Sequence, residues 1–143
     1  MDGLPGTEYE MEEFLAAFEA GTLPKERWTH GAHLLGGACY VHELGEAGAT
    51  VQMRERVRAY NVAVGGKNTE TSGYHETVTV FWIKVLSGFY RAHGELPRAE
   101  FAAAAVREFE SRRRILAEYY DFDVVNSREA RQRWIAPNLR SLD

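Results

Sequence analysis

Apolar residues recur along most of this chain at the three-and-four spacing of an α-helix, not at the alternation of a strand. Met11, Phe14, Leu15 and Phe18 set the pattern and predict a helix from about Glu8 to Ala20, which Gly21 is placed to end. After the Leu23-Pro24 turn, Thr29 is a suitable N-cap for a second helix running to about Leu44, where Gly45 and Gly48 break it. Its inner stripe reads His30, His33, Leu34, Gly37, Val41 and Leu44, while His42 lies well round the cylinder. Gly36, Gly37 and Ala38 would let another helix approach closely, at some cost in helix propensity. Thr50 can cap a third helix with Met53, Val57, Tyr60 and Val64 inside and Arg54, Glu55, Arg56 and Arg58 on a solvated outer face; Gly65-Gly66 stops it.

The polar stretch from Lys67 to Gly73 reads as the longest loop. A fourth helix is expected from near Tyr74 to Gly94, apolar almost all round, which is the mark of a central helix. Its β-branched residues, such as Thr77, Val78, Thr79 and Val80, would also suit a strand. A run of about 18 residues without a turn signal is too long for one. Leu96-Pro97 opens a fifth helical region that breaks near Ser111 and reaches Tyr119. A short final helix is capped by Ser127, includes Trp134 and stops at Pro137. The expected fold is all-α, a single domain over residues 1–143. It is an antiparallel helical bundle of about five main helices plus a short C-terminal helix.

Composition narrows the partners. The 143 residues carry 17 basic against 21 acidic side chains, a formal net charge of -4, so there is no basic footprint for nucleic acid. No apolar run approaches the roughly 20 residues that cross a bilayer, which argues against a membrane partner. The start, Met1-Asp2-Gly3-Leu4-Pro5, lacks the features of a secretory signal. Cys39 is the only cysteine, which removes an internal disulfide and any cysteine-rich zinc site. The expectation is a cytoplasmic protein acting on a small-molecule substrate or ligand. A homodimer is left open, since Gly36-Gly37 and the aromatic fourth helix would serve a dimer contact as well as internal packing.

Histidine supplies the candidate chemistry. The chain has five, and three of them, His30, His33 and His75, fall on inward stripes of two helices, His75 on one shared with Val78, Thr79, Trp82, Leu86 and Phe89. His30 and His33 are spaced i, i+3, so both rings project from one face a turn apart. His75 is expected in the first turn of the fourth helix, where the helix dipole disfavours an imidazolium and keeps the ring neutral. Three such nitrogens would hold a divalent transition metal (zinc, iron or nickel) with open positions for water or substrate. Glu76 is the candidate general base beside it, its plainer role being a favourable charge at a helix start. Trp28, Tyr60, Asn61 and Tyr74 are candidate substrate-binding residues near the histidines. The run Arg112-Arg113-Arg114 reads as a solvated face or an anion-capturing patch.

A single histidine on an apolar stripe is more often a hydrogen-bonded core residue than a ligand. A metal-free small-molecule-binding module and a structural or dimerising helical protein therefore stand beside a small metal-dependent enzyme of hydrolytic or oxygen chemistry.

With these motifs in view, the chain resembles an uncharacterised family of small bacterial all-helical proteins. The likeness rests on W-T-H-x-x-H-L at Trp28–Leu34 and Y-H-E-T at Tyr74–Thr77. It extends to Phe18-Glu19 before Leu23-Pro24, to Tyr60-Asn61, and to Ser127-x-x-Ala130-Arg131-x-x-Trp134 followed by Pro137. The resemblance spans nearly the whole chain and implies a helical fold but no activity. More loosely, three histidines in a helical bundle are similar to the bacterial metal-binding four-helix proteins of thiol-dependent and damage-induced chemistry.

Overall fold

The computed structural model describes residues 4–142, the side chain of Arg113 excepted, and among them every regular element is helical. Met1–Gly3 of the N-terminal stretch and the middle arginine side chain of the 112–114 run lie outside the described residues.

Helix α1, Glu8–Ala20, has the expected bounds. Thr7 and Glu10 cap it reciprocally: the Glu10 N–H donates to the threonine hydroxyl at 3.1 Å, and the Thr7 N–H donates to the Glu10 carboxylate at 3.1 Å. Gly21, at φ 75, closes the other end.

Helix α2 covers His30–Ala63, with Thr29 as N-cap accepting from the Ala32 N–H at 3.2 Å. The break expected at Gly45 is there as a single residue of φ 78 and ψ 177, a conformation open to glycine because it has no Cβ. The helix then resumes. Thr50 does not begin a new helix; it lies inside α2 with its hydroxyl donating to the Glu46 carbonyl at 2.9 Å.

Helix α3 is Glu76–His93 and α4 is Arg98–Phe109. A 3-10 turn at Arg113–Ile115 leads into the short α5, Leu116–Tyr119, so the break near Ser111 is present. Ser127 caps α6, Arg128–Gln132, through a 3.1 Å bond from the Ala130 N–H. That helix ends before Trp134, short of the expected stop at Pro137.

The most enclosed segment is the first half of α2, not the more apolar α3. Residues 31–41 are buried apart from His33, and α2 packs against α1, α3 and α4. Helix α3 keeps Trp82, Val85 and Phe89 half-buried. Gly37 sets how near the two helices lie: a Cβ there would meet Leu86 Cδ1 at 3.0 Å and Ile83 Cδ1 at 3.5 Å. The glycine therefore serves internal packing.

A second, smaller core of Phe81, Ile115, Tyr120, Val124 and Ala130 joins the C-terminal segment to α3. Thr77, fully buried, clamps that segment: its hydroxyl donates to the Arg133 carbonyl at 2.7 Å and accepts from the Ile135 N–H at 3.0 Å. Among the described residues no helix is long and apolar enough to cross a membrane.

Candidate functional site

The inward stripe of α2 and that of α3 meet around a cavity of about 330 Å³. Its floor is the buried set Leu34, Gly37, Met53, Ile83 and Leu86; half-buried His30, His33, Val78, Thr79 and Trp82 form its mouth. An apolar chamber with two imidazoles and a hydroxyl at the rim is the usual build of a small-molecule site, at the small end of the common size range.

His33 is held from two sides. Its ring lies 4.0 Å from the Trp28 ring, which in turn stacks on Phe18 at 4.3 Å. Its Nδ1 is 2.8 Å from the carbonyl of Thr29, the residue that caps α2. A carbonyl only accepts, so Nδ1 carries the hydrogen and the neutral ring presents a bare Nε2 lone pair. No described residue bonds to that Nε2. Burial pushes the His33 pKa down to about 4, against the pull of the Thr29 carbonyl, and nearby His30 lowers it further. At neutral pH this imidazole is an acceptor or a ligand nitrogen, not a cation. His30, one turn earlier, meets Trp82 edge-on at 5.4 Å across the same mouth.

His75 does not join them. It stands just before α3 as its N-cap, in extended conformation at φ -128 and ψ 109, so its side chain leaves the stripe that Val78, Thr79, Trp82 and Leu86 follow. Nδ1 accepts the Val78 N–H at 3.2 Å, while Nε2–H donates to the Val124 carbonyl at 2.9 Å. Both ring nitrogens are thus engaged, and burial, with Arg131 adding to it, lowers the pKa below the usual histidine value. The expected three-imidazole set is not assembled: among the described residues no three His, Cys, Asp or Glu side chains are grouped to hold a metal ion.

Glu76 faces a different cleft. Arg54 grips its carboxylate with two bonds of 3.0 and 2.7 Å, and the Tyr74 hydroxyl donates to it at 2.7 Å. Burial works against the carboxylate, but these hydrogen bonds outweigh it and leave the pKa below the ordinary range. A proton acceptor so fully occupied is poorly placed to be a base for a ligand in the histidine cavity.

The other expected binding residues also serve the frame. Asn61 donates to the Asn68 side chain at 3.0 Å, and Asn68 also accepts from the Tyr74 N–H and donates to the Arg58 carbonyl, each at 3.0 Å, which ties the 65–75 loop to α2. Tyr60 is buried against Phe18 and Trp28, with its hydroxyl donating to the Leu23 carbonyl at 2.7 Å. Tyr60→Phe is expected to cost about 1 kcal/mol in denaturant unfolding, because one carbonyl loses its donor, and to leave ligand affinity unchanged. A loss of affinity without a loss of stability would return Tyr60 to the site.

Sequence reasoning passed over Met53 as a cavity residue, although it lay on a predicted inner face, and placed Thr79 only as a neighbour of His75. Arg54 and Arg58 were placed on a solvated face, and Arg131 stood out only within the C-terminal motif of the family resemblance. No family model, curated protein or solved structure matches the chain.

Proposed function

We propose that this protein binds a small, mostly apolar molecule between α2 and α3, through one hydrogen-bond donor given to His33 Nε2. The observation that carries the reading is the fixed tautomer: the Thr29 carbonyl holds the hydrogen on Nδ1, so a ring that lines this mostly apolar chamber offers an Nε2 lone pair. A cavity of about 330 Å³ is roughly twice the 150 Å³ that accommodates benzene, so a one- or two-ring molecule fits. With its pKa near 4, His33 is too weak a base for efficient proton transfer at neutral pH, and this favours recognition over acid–base catalysis.

A divalent metal on the His30–His33 pair is the second reading. It is favoured by the same bare Nε2 and by the i, i+3 spacing, and it has no need of His75. Zinc, iron or nickel would then keep positions for water or for the ligand.

Titration calorimetry in chelator separates the two. Phenol is expected to bind several-fold more tightly than toluene, the margin of one hydrogen bond, and His33→Phe to abolish that preference. Equal affinity of phenol and toluene for the wild-type chain would overturn the donor assignment. Binding that appears only after zinc, iron or nickel is restored would favour the metal reading.

A further inference from the structure

Where the second half of α2, the loop before α3 and α6 come together, a second cleft of about 510 Å³ is lined by three guanidinium groups, Arg54, Arg58 and Arg131. Two carboxylates, Glu70 and Glu76, share the lining, and Glu76 is taken up by Arg54 and Tyr74.

Neither of the other two arginines makes an ion pair among the described residues, although the Arg58 charge helps to hold the Glu76 pKa down. Arg58 lies over the Tyr74 ring, its guanidinium carbon 5.6 Å from the centroid, and among the described residues it has no carboxylate partner. Arg131 gives its N–H groups to two neutral carbonyls, Gly73 at 2.7 Å and Val125 at 3.4 Å. Carbonyls fix the direction of a guanidinium while leaving its charge uncompensated. A cation already oriented loses less freedom when an anion arrives, and the planar fork suits phosphate and carboxylate oxygens.

We infer that this cleft takes the oxyanion, phosphate or carboxylate, of a small-molecule ligand, held between Arg58 and Arg131. Arg54 contributes less, because Glu76 already compensates it. The site is independent of the histidine cavity, since neither His30 nor His33 lines it.

The test is calorimetric titration of the full chain with inorganic phosphate and, separately, with acetate, ionic strength being held constant with chloride. Saturable binding is expected, weakened about tenfold or more by Arg58→Gln and by Arg131→Gln, and unchanged by Arg107→Gln on the exposed side of α4. Tighter binding of phosphate assigns a phosphoryl group, and tighter binding of acetate a carboxylate. Arg58 is exposed and its side chain bonds to no backbone, so that variant keeps the test valid if loss of Arg131 disturbs the fold. No saturable binding of either anion, or equal affinity in wild type and Arg58→Gln, would overturn the assignment.

Discussion

His75→Ala is expected to lower the unfolding free energy by about 2–4 kcal/mol, equally with and without a chelator. The imidazole makes two bonds that alanine cannot: it accepts the Val78 N–H at the start of α3 and donates to the Val124 carbonyl. Loss of an N-cap costs about 1 kcal/mol. A buried carbonyl left without a donor costs about 1–3 kcal/mol more. His75→Asn should recover the cap, since a short side-chain oxygen can accept from the same N–H, but not the reach to Val124, so it falls between the two. Urea unfolding of the three proteins measures all of this. Were His75 a metal ligand, the chelator would weaken the wild type and leave His75→Ala unaffected; that pattern would contradict the structural role.

The second large effect is on acid stability. In the unfolded chain His33 should titrate near the ordinary 6.5, and in the folded protein near 4. Between those values the unfolded state binds the proton more readily. Stability from this group is therefore whole above about pH 6.5 and declines as pH falls towards 4. At about 1.4 kcal/mol per pH unit the ceiling is about 3 kcal/mol, and the partly open mouth of the cavity reduces it. His75, whose pKa is also depressed, acts in the same direction, so the comparison that isolates His33 is wild type against His33→Phe. The variant should show a shallower loss of stability between pH 6.5 and 4. Parallel curves would mean that His33 is not held neutral.

The fold was largely legible because its determinants are local. Helix α1, its end at Gly21, the glycine break at residue 45 and the interruption near Ser111 all follow from neighbours a few residues apart. The cavity was half legible as well: the stripe through His30, His33, Leu34 and Gly37 and the stripe through Val78, Thr79, Trp82 and Leu86 are the faces that enclose it. His75 was misplaced because the apolar pattern continues backwards past the true start of α3, with no Ser, Thr, Asp or Asn to mark a cap there. Histidine can cap through Nδ1, but its other partner, Val124, is 49 residues away and leaves no trace in the periodicity. Glu76 shows the same limit. Its acidic place in the first turn of α3 is readable, whereas its partner Arg54, 22 residues earlier, looked like one more charge on a solvated face. Thr50 and Trp134 were lost to tertiary context: α2 resumes without a new cap, and the chain beyond α6 is held by Thr77 rather than by helix bonds.

Everything proposed for the cavity depends on a bare, unprotonated Nε2 on His33. Two-bond ¹H–¹⁵N spectra of the imidazoles, recorded from pH 8 to 3.5 with and without saturating phenol, observe that atom directly. The expected result is the Nδ1–H form of His33, titrating near pH 4, with an Nε2 resonance that moves when phenol binds. An Nε2–H form titrating near 6.5, or an Nε2 signal indifferent to bound phenol, would contradict it.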